Sequence, residues 1–124
     1  MKAMHFSRES SQANLIVALD GGRVKIGETW HDGSIIVTTD RIVTDWPLRD
    51  PSRLSLTELA PAIALAPDIL LIGSSVTLPD VDLIAELAAQ GIGLEMMGMA
   101  AACRTYNVLV HEYRRVAAAL ISSP

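Results

Sequence analysis

The stretch Gly91–Ile121, GIGLEMMGMAAACRTYNVLVHEYRRVAAALI, decides the fold. Ile92 to Met97 is a short run bounded by glycine on both sides, which reads as a strand. From Ala100 to about Tyr113 the apolar positions Ala102, Tyr106, Leu109 and Tyr113 recur at helical spacing, which predicts a helix with one core-facing stripe. Val116 to Ile121 is apolar without interruption, the pattern of a strand buried on both faces. Strand, loop, helix and strand follow one another with almost no linker.

Working upstream, Asp68 to Ile72 is a second continuous apolar strand. Pro79 at a first helical position opens a helix whose inward residues are Val81, Ile84, Leu87 and Ala88, with Gly91 as its stop. The strands Ile69–Ile72 and Ile92–Met97 are therefore expected to pair in parallel through a right-handed crossover. Before them, Ser55-Leu56-Thr57-Glu58 matches a capping box, and Leu56, Leu59 and Ile63 form a helical stripe that Pro61 shortens or kinks. The first third carries strand patterns at Asn14–Leu19, Val24–Trp30, Ser34–Val37 and Ile42–Trp46, separated by Asp20-Gly21-Gly22, Asp32-Gly33 and the Thr38–Arg41 segment. Asp32-Gly33 is its strongest hairpin marker, so this third is expected to form an antiparallel meander that needs a partner layer.

Composition sets the outer bounds. A chain of 124 residues with half of them hydrophobic supports one core without a metal or disulfide staple. The expected organisation is a flexible segment at 1–12 followed by a single α/β domain at 13–124. A net charge of −4 gives no basic stripe for nucleic acid, and no apolar run approaches the length of a membrane span. Cys103 is the lone cysteine, and the polar N-terminus lacks the apolar centre of a signal peptide, so a cytoplasmic protein is expected.

Gly91-Ile92-Gly93, the run Ala101-Ala102-Cys103-Arg104-Thr105-Tyr106-Asn107, and Arg115-Val116-Ala117-Ala118-Ala119 resemble a bacterial and archaeal family of unassigned biochemistry. Its eukaryotic member is the mitochondrial NADH dehydrogenase (respiratory complex I) assembly factor 3. Asp68–Gly73 fits the family's central strand, and Trp46 fits the tryptophan that ends its N-terminal strands, so the likeness runs from about Val24 to Ile121. It implies a three-layer α/β fold: a central mixed sheet, helices on one face, and the N-terminal antiparallel β meander on the other. No catalytic residue carries over. Ser74-Ser75 stand where the family commonly has Thr-Gly, and Gly98-Met99 where it often has Asp-Thr, which removes a carboxylate from that loop.

Open α/β sheets bind ligands beyond the carboxyl ends of their parallel strands. Here those ends are Gly73-Ser74-Ser75 and Met97-Gly98-Met99, beside the start of the helix that carries Cys103, Arg104 and Asn107. Free amides at that helix start favour an anion, and Arg104 would add a charged fork. Trp46, Met97 and Met99 would give the cleft an apolar wall. The bland alternatives are tight strand-to-helix turns for Gly73, Ser74 and Ser75, a small buried residue at Cys103, and a structural pin at Asn107 that ties its helix to the 73–75 loop. Neither His5, His31 nor His111 stands near enough in sequence to activate Cys103, and together they show no metal-ligand spacing. No cofactor is implied. The sequence favours a binding or assembly-factor-like module over an enzyme, with a protein partner or a small anionic ligand at this cleft. The alternative is an enzyme or anion binder using the same residues.

Overall fold

The computed structural model describes residues 13–76 and 80–123. The expectations for residues 1–12, His5 and Pro79 lie outside them. Two sheets organise the chain: an antiparallel sheet in the order β1-β2-β3 and a mixed five-stranded sheet in the order β5-β4-β8-β6-β7. The first contains β1 (Ile16–Asp20), β2 (Arg23–Ile26) and β3 (Thr29–His31). The second contains β4 (Ile35–Val37), β5 (Ile42–Val43), β6 (Ile69–Gly73), β7 (Gly93–Met97) and β8 (Val116–Leu120). Three helices of α type accompany them among the described residues: α1 (Ala60–Ile63), α2 (Val81–Ala88) and α3 (Met99–His111).

The last strand is the axis of the molecule. β8 lies parallel to β6, with Leu71 opposite Ala118, and antiparallel to β4, with Ile36 opposite Ala119. All five of its residues are buried, as the uninterrupted VAAAL run requires. The expected parallel pairing of β6 with β7 is present, Leu70 facing Leu94.

Alternation along these strands separates two cores. Ile36, Leu70, Ile72, Ala117 and Ala119 face Trp46, Leu59 and the α2 residues Leu83 and Leu87. Ile35, Val37, Leu71, Ala118 and Leu120 face α3, through Ala102, Cys103, Tyr106 and Val110, and the meander residues Ile16, Val24 and Ile26. Each fully buried leucine or isoleucine in these clusters contributes about 1.5–3 kcal/mol. The three-layer α/β architecture is thus present, with one refinement to its layers. The meander shares its face with α3, and α1 and α2 cover the other.

The antiparallel meander also divides differently from its sequence pattern. The hairpins fall at Gly21-Gly22 and at Gly27-Glu28, where Ile26 pairs with Thr29. Gly27 has φ +59, while Glu28 is not left-handed, which is the II′ arrangement that matches strand twist. Asp32-Gly33 makes no hairpin; it carries the chain from β3 in one sheet to β4 in the other. Its Gly33 is left-handed too, so the residue preference was sound but the partner strand was not specified locally.

Ser55 caps its turn as expected, its Oγ accepting from the Glu58 amide at 3.3 Å. Pro61 sits in the first turn of α1, which stops after four residues. Asp80 caps α2 by accepting from the Leu83 amide at 3.0 Å.

Candidate functional site

The carboxyl end of β6 is closed by packing. A Cβ on Gly73 would lie 2.8 Å from the Ala102 Cβ and 2.9 Å from Leu120 Cδ2. Glycine is therefore required for α3 to rest on the end of β6. Ser74 is buried, its amide donating to the Met97 carbonyl at 3.1 Å and its hydroxyl to the Val76 carbonyl at 2.6 Å. The same hydroxyl accepts from the Val76 amide at 3.1 Å, so it is spent within its own turn. Ser75 and Arg104 are exposed, and Met97 and Met99 are half-buried against the α3 core.

Trp46 does not join them. It lies on the opposite face of the large sheet, donating its indole N–H to the Glu58 carbonyl at 2.8 Å, with Met96 packed in the same core. Cys103 is buried under α3, and that burial pushes its thiol up to about 11, against a smaller opposing pull from Arg104. A thiol held protonated in this way is a poor nucleophile.

Asn107 binds β1 rather than the 73–75 loop. Its carbonyl oxygen accepts from the Ile16 amide at 2.9 Å, and its amide nitrogen donates to the Ile16 carbonyl at 2.8 Å. The side-chain amide thereby stands in for a neighbouring strand on the free edge of β1. One residue earlier, Tyr106 donates its hydroxyl to the Asn14 carbonyl at 2.7 Å. Burial first, and the nearby Asp40 carboxylate second, hold this phenol well above the usual range.

At the other end of the parallel strands lies a cavity of about 620 Å³, within the range of small-molecule sites. Leu15, Leu65, Pro67, Val110 and Val116 supply apolar lining. Thr38, Thr39 and Asp40 border it from the β4–β5 turn, and His111, Tyr113, Arg114 and Arg115 from the end of α3. A shallower pocket is bordered by Pro47, Arg49, Asp50 and Arg53. Neither contains any of the nine residues anticipated for the cleft.

The end of α3 also departs from its sequence reading. The helix stops at His111, and Tyr113 follows in a left-handed turn with φ +60. Its side chain is 87% exposed instead of completing the core stripe. Arg115 pairs across the chain with Asp68 at 3.1 Å. That guanidinium holds the Asp68 carboxyl below its ordinary value.

A family model described as "Protein of unknown function (DUF498/DUF598)" matches residues 16–121. The chain belongs to that family. Within reach of it by sequence is the "13 kDa major membrane protein" of Francisella tularensis subsp. holarctica (strain LVS), 31% identical over 79% of this chain and 80% of the relative. A solution structure from Xanthomonas campestris is 38% identical, covering 86% of this chain and 83% of its own, with a TM-score of 0.77. A crystal structure from Bordetella parapertussis is 32% identical over 90% of this chain and 97% of its own, with a TM-score of 0.81. These likenesses give family and fold, and they name no reaction. Among the described residues no helix is long and apolar enough to cross a membrane.

Proposed function

We propose that this protein is a binding module whose ligand enters the cavity between the β4–β5 turn, the 65–67 turn and the end of α3. The observation that carries this reading is the contrast in space. Of the residues expected to form a cleft, Gly73, Ser74, Cys103 and Asn107 are spent on packing and on hydrogen bonds within the fold and only Ser75 and Arg104 stand exposed, whereas the cavity has apolar walls and polar groups from separate segments. The buried thiol of Cys103 and the internally bonded hydroxyl of Ser74 weigh against catalysis at the strand ends.

Binding would also accommodate an assembly role like that of the mitochondrial assembly factor the sequence resembles, with a partner's side chains taking the place of a small ligand. The lone buried cysteine suits a cytoplasmic setting. Membrane association of the kind named for the Francisella protein would not use a spanning helix of the described residues.

The test is a thermal-shift screen against carboxylates, phosphorylated metabolites and short-chain lipids. A ligand at about a hundredfold over its Kd should stabilise the fold by about 2.7 kcal/mol. Thr39→Trp, which fills the cavity from its rim, should abolish the shift, and Arg104→Ala should leave it intact. The reverse pattern would return the site to the carboxyl ends of the strands and sink this reading.

A further inference from the structure

The cavity sorts its lining by chemistry, and that sorting describes a ligand. Resting on the binding reading above, we propose that it takes a free single-chain amphiphile with an anionic head, the chain lying against Leu15, Leu65, Val110 and Val116 and the head at Arg114. A concave site of this kind has to hold the chain away from any bilayer, so the amphiphile is bound as a single molecule.

The basic side chains come from one segment. His111, Arg114 and Arg115 all border the cavity from the end of α3. Arg115 is committed to Asp68 through two hydrogen bonds, at 3.1 and 3.4 Å. Arg114 makes no ion pair among the described residues, so its fork is free for a bidentate anion. His111 sits close by with its Nδ1 2.8 Å from the Asn107 carbonyl oxygen, which orients its other ring nitrogen away from the helix. The carboxylate in the lining is Asp40, on the β4–β5 turn, and its Oδ1 already accepts from the Thr38 hydroxyl at 3.2 Å.

A helix carboxyl terminus ordinarily repels an anion. Here the closing turn occupies two of the end carbonyls: the Arg114 amide donates to the Leu109 carbonyl at 3.0 Å, and the Tyr113 amide to that of Val110 at 3.0 Å. This is a Schellman-type end, and it normally takes glycine at the left-handed position. Tyr113 occupies it instead, with its ring in solvent at the cavity rim. The other left-handed residue without a glycine, among the described residues, is Ala66, which borders the same cavity. Both left-handed residues without a glycine thus border the concavity in which we place the amphiphile.

The experiment titrates decanoate, 1-decanol and decyltrimethylammonium, each below its micelle concentration, into the full chain. The methyl resonances of Leu15, Leu65, Val110 and Val116 report binding. Decanoate should shift them and bind most tightly of the three. Arg114→Ala should weaken decanoate by roughly tenfold or more, the loss of a charge-assisted bond, and leave decanol unchanged, with Arg114→Lys recovering part of the loss. Equal affinity for decanoate and decanol, or indifference of decanoate to Arg114→Ala, would overturn the anionic head while keeping the cavity as a binding site. Tighter binding of the alkylammonium would assign the head to Asp40 and overturn the proposal equally. No methyl shift with any of the three would remove both this inference and the reading beneath it.

Discussion

The two ends of the parallel strands β6 and β8 are built on opposite terms. At the carboxyl end, Gly73 lets α3 come so close that no side chain fits between them. At the amino end, α3 has stopped, the chain reverses through a left-handed Tyr113, and a cavity of about 620 Å³ opens. One helix thus seals the place where open α/β sheets usually bind ligands and leaves space where they usually do not. The difference teaches that a topological rule for sites holds only where the covering helix stands off from the strand ends. Gly73, with Ala118 as the small residue of β8 on the α3 face, removes that stand-off.

The comparison breaks most directly at Gly73. Gly73→Val would force branched carbons into atoms already under 3 Å away, and overpacking of this kind costs about 3 kcal/mol. Chemical denaturation should show the loss, and an unchanged midpoint would mean that α3 can lift from the strand and that the end is not sealed. Next in size is Asn107→Ala, which removes both hydrogen bonds to Ile16. A loss of about 2 kcal/mol is expected, with amide exchange in β1 accelerating more than in β6. Uniform acceleration across both strands would show that Asn107 supports the fold generally instead of fastening the edge of the meander.

How much of this was legible depends on the reach of each signal. β6, β7, β8 and α3 follow from local patterns, because a run such as Val116–Ile121 contains its own reason for being buried. Asp32-Gly33 misleads because turn chemistry fixes a backbone conformation without saying which strand will be the neighbour. Asn107 reads as a pin, but its partner is 91 residues away. Arg115 finds Asp68 across 47 residues, a partner that no local pattern indicates. The cavity is invisible for the same reason: its walls come from residues 13–15, 38–40, 65–67 and 110–116, and no segment shows that it faces a void. Trp46 and Met97 are separated by a sheet whose alternation a sequence displays, but whose two covering layers it does not assign.

Cys103 and Tyr106 sharpen the contrast through pH. Burial raises both groups, so the folded chain holds these protons more tightly than the unfolded chain does. Their contribution is full below the ordinary values and is lost as pH rises, for Cys103 across the span from 9.0 to about 11. Stability should therefore fall in that window, and Cys103→Ala should flatten the decline, leaving the part due to Tyr106. The same shift should slow alkylation of the native thiol at pH 8 by roughly a hundredfold against the unfolded chain. Rapid native alkylation would mean that the sealed end opens on its own.

The smallest effect belongs to the open end. Tyr113→Gly relieves a left-handed conformation that costs a non-glycine residue about 1 kcal/mol. Glycine's greater freedom in the unfolded chain takes back much of that gain. The expected outcome lies between no change and a stabilisation of about 1 kcal/mol, because a ring 87% exposed has little packing to lose. Equilibrium unfolding decides the matter. A clear destabilisation would show that Tyr113 packs in solution and that its conformation is repaid within the fold. No loss would leave the strain uncompensated by the protein itself, and then the reason for a tyrosine at this turn has to be sought in what enters the cavity beside it.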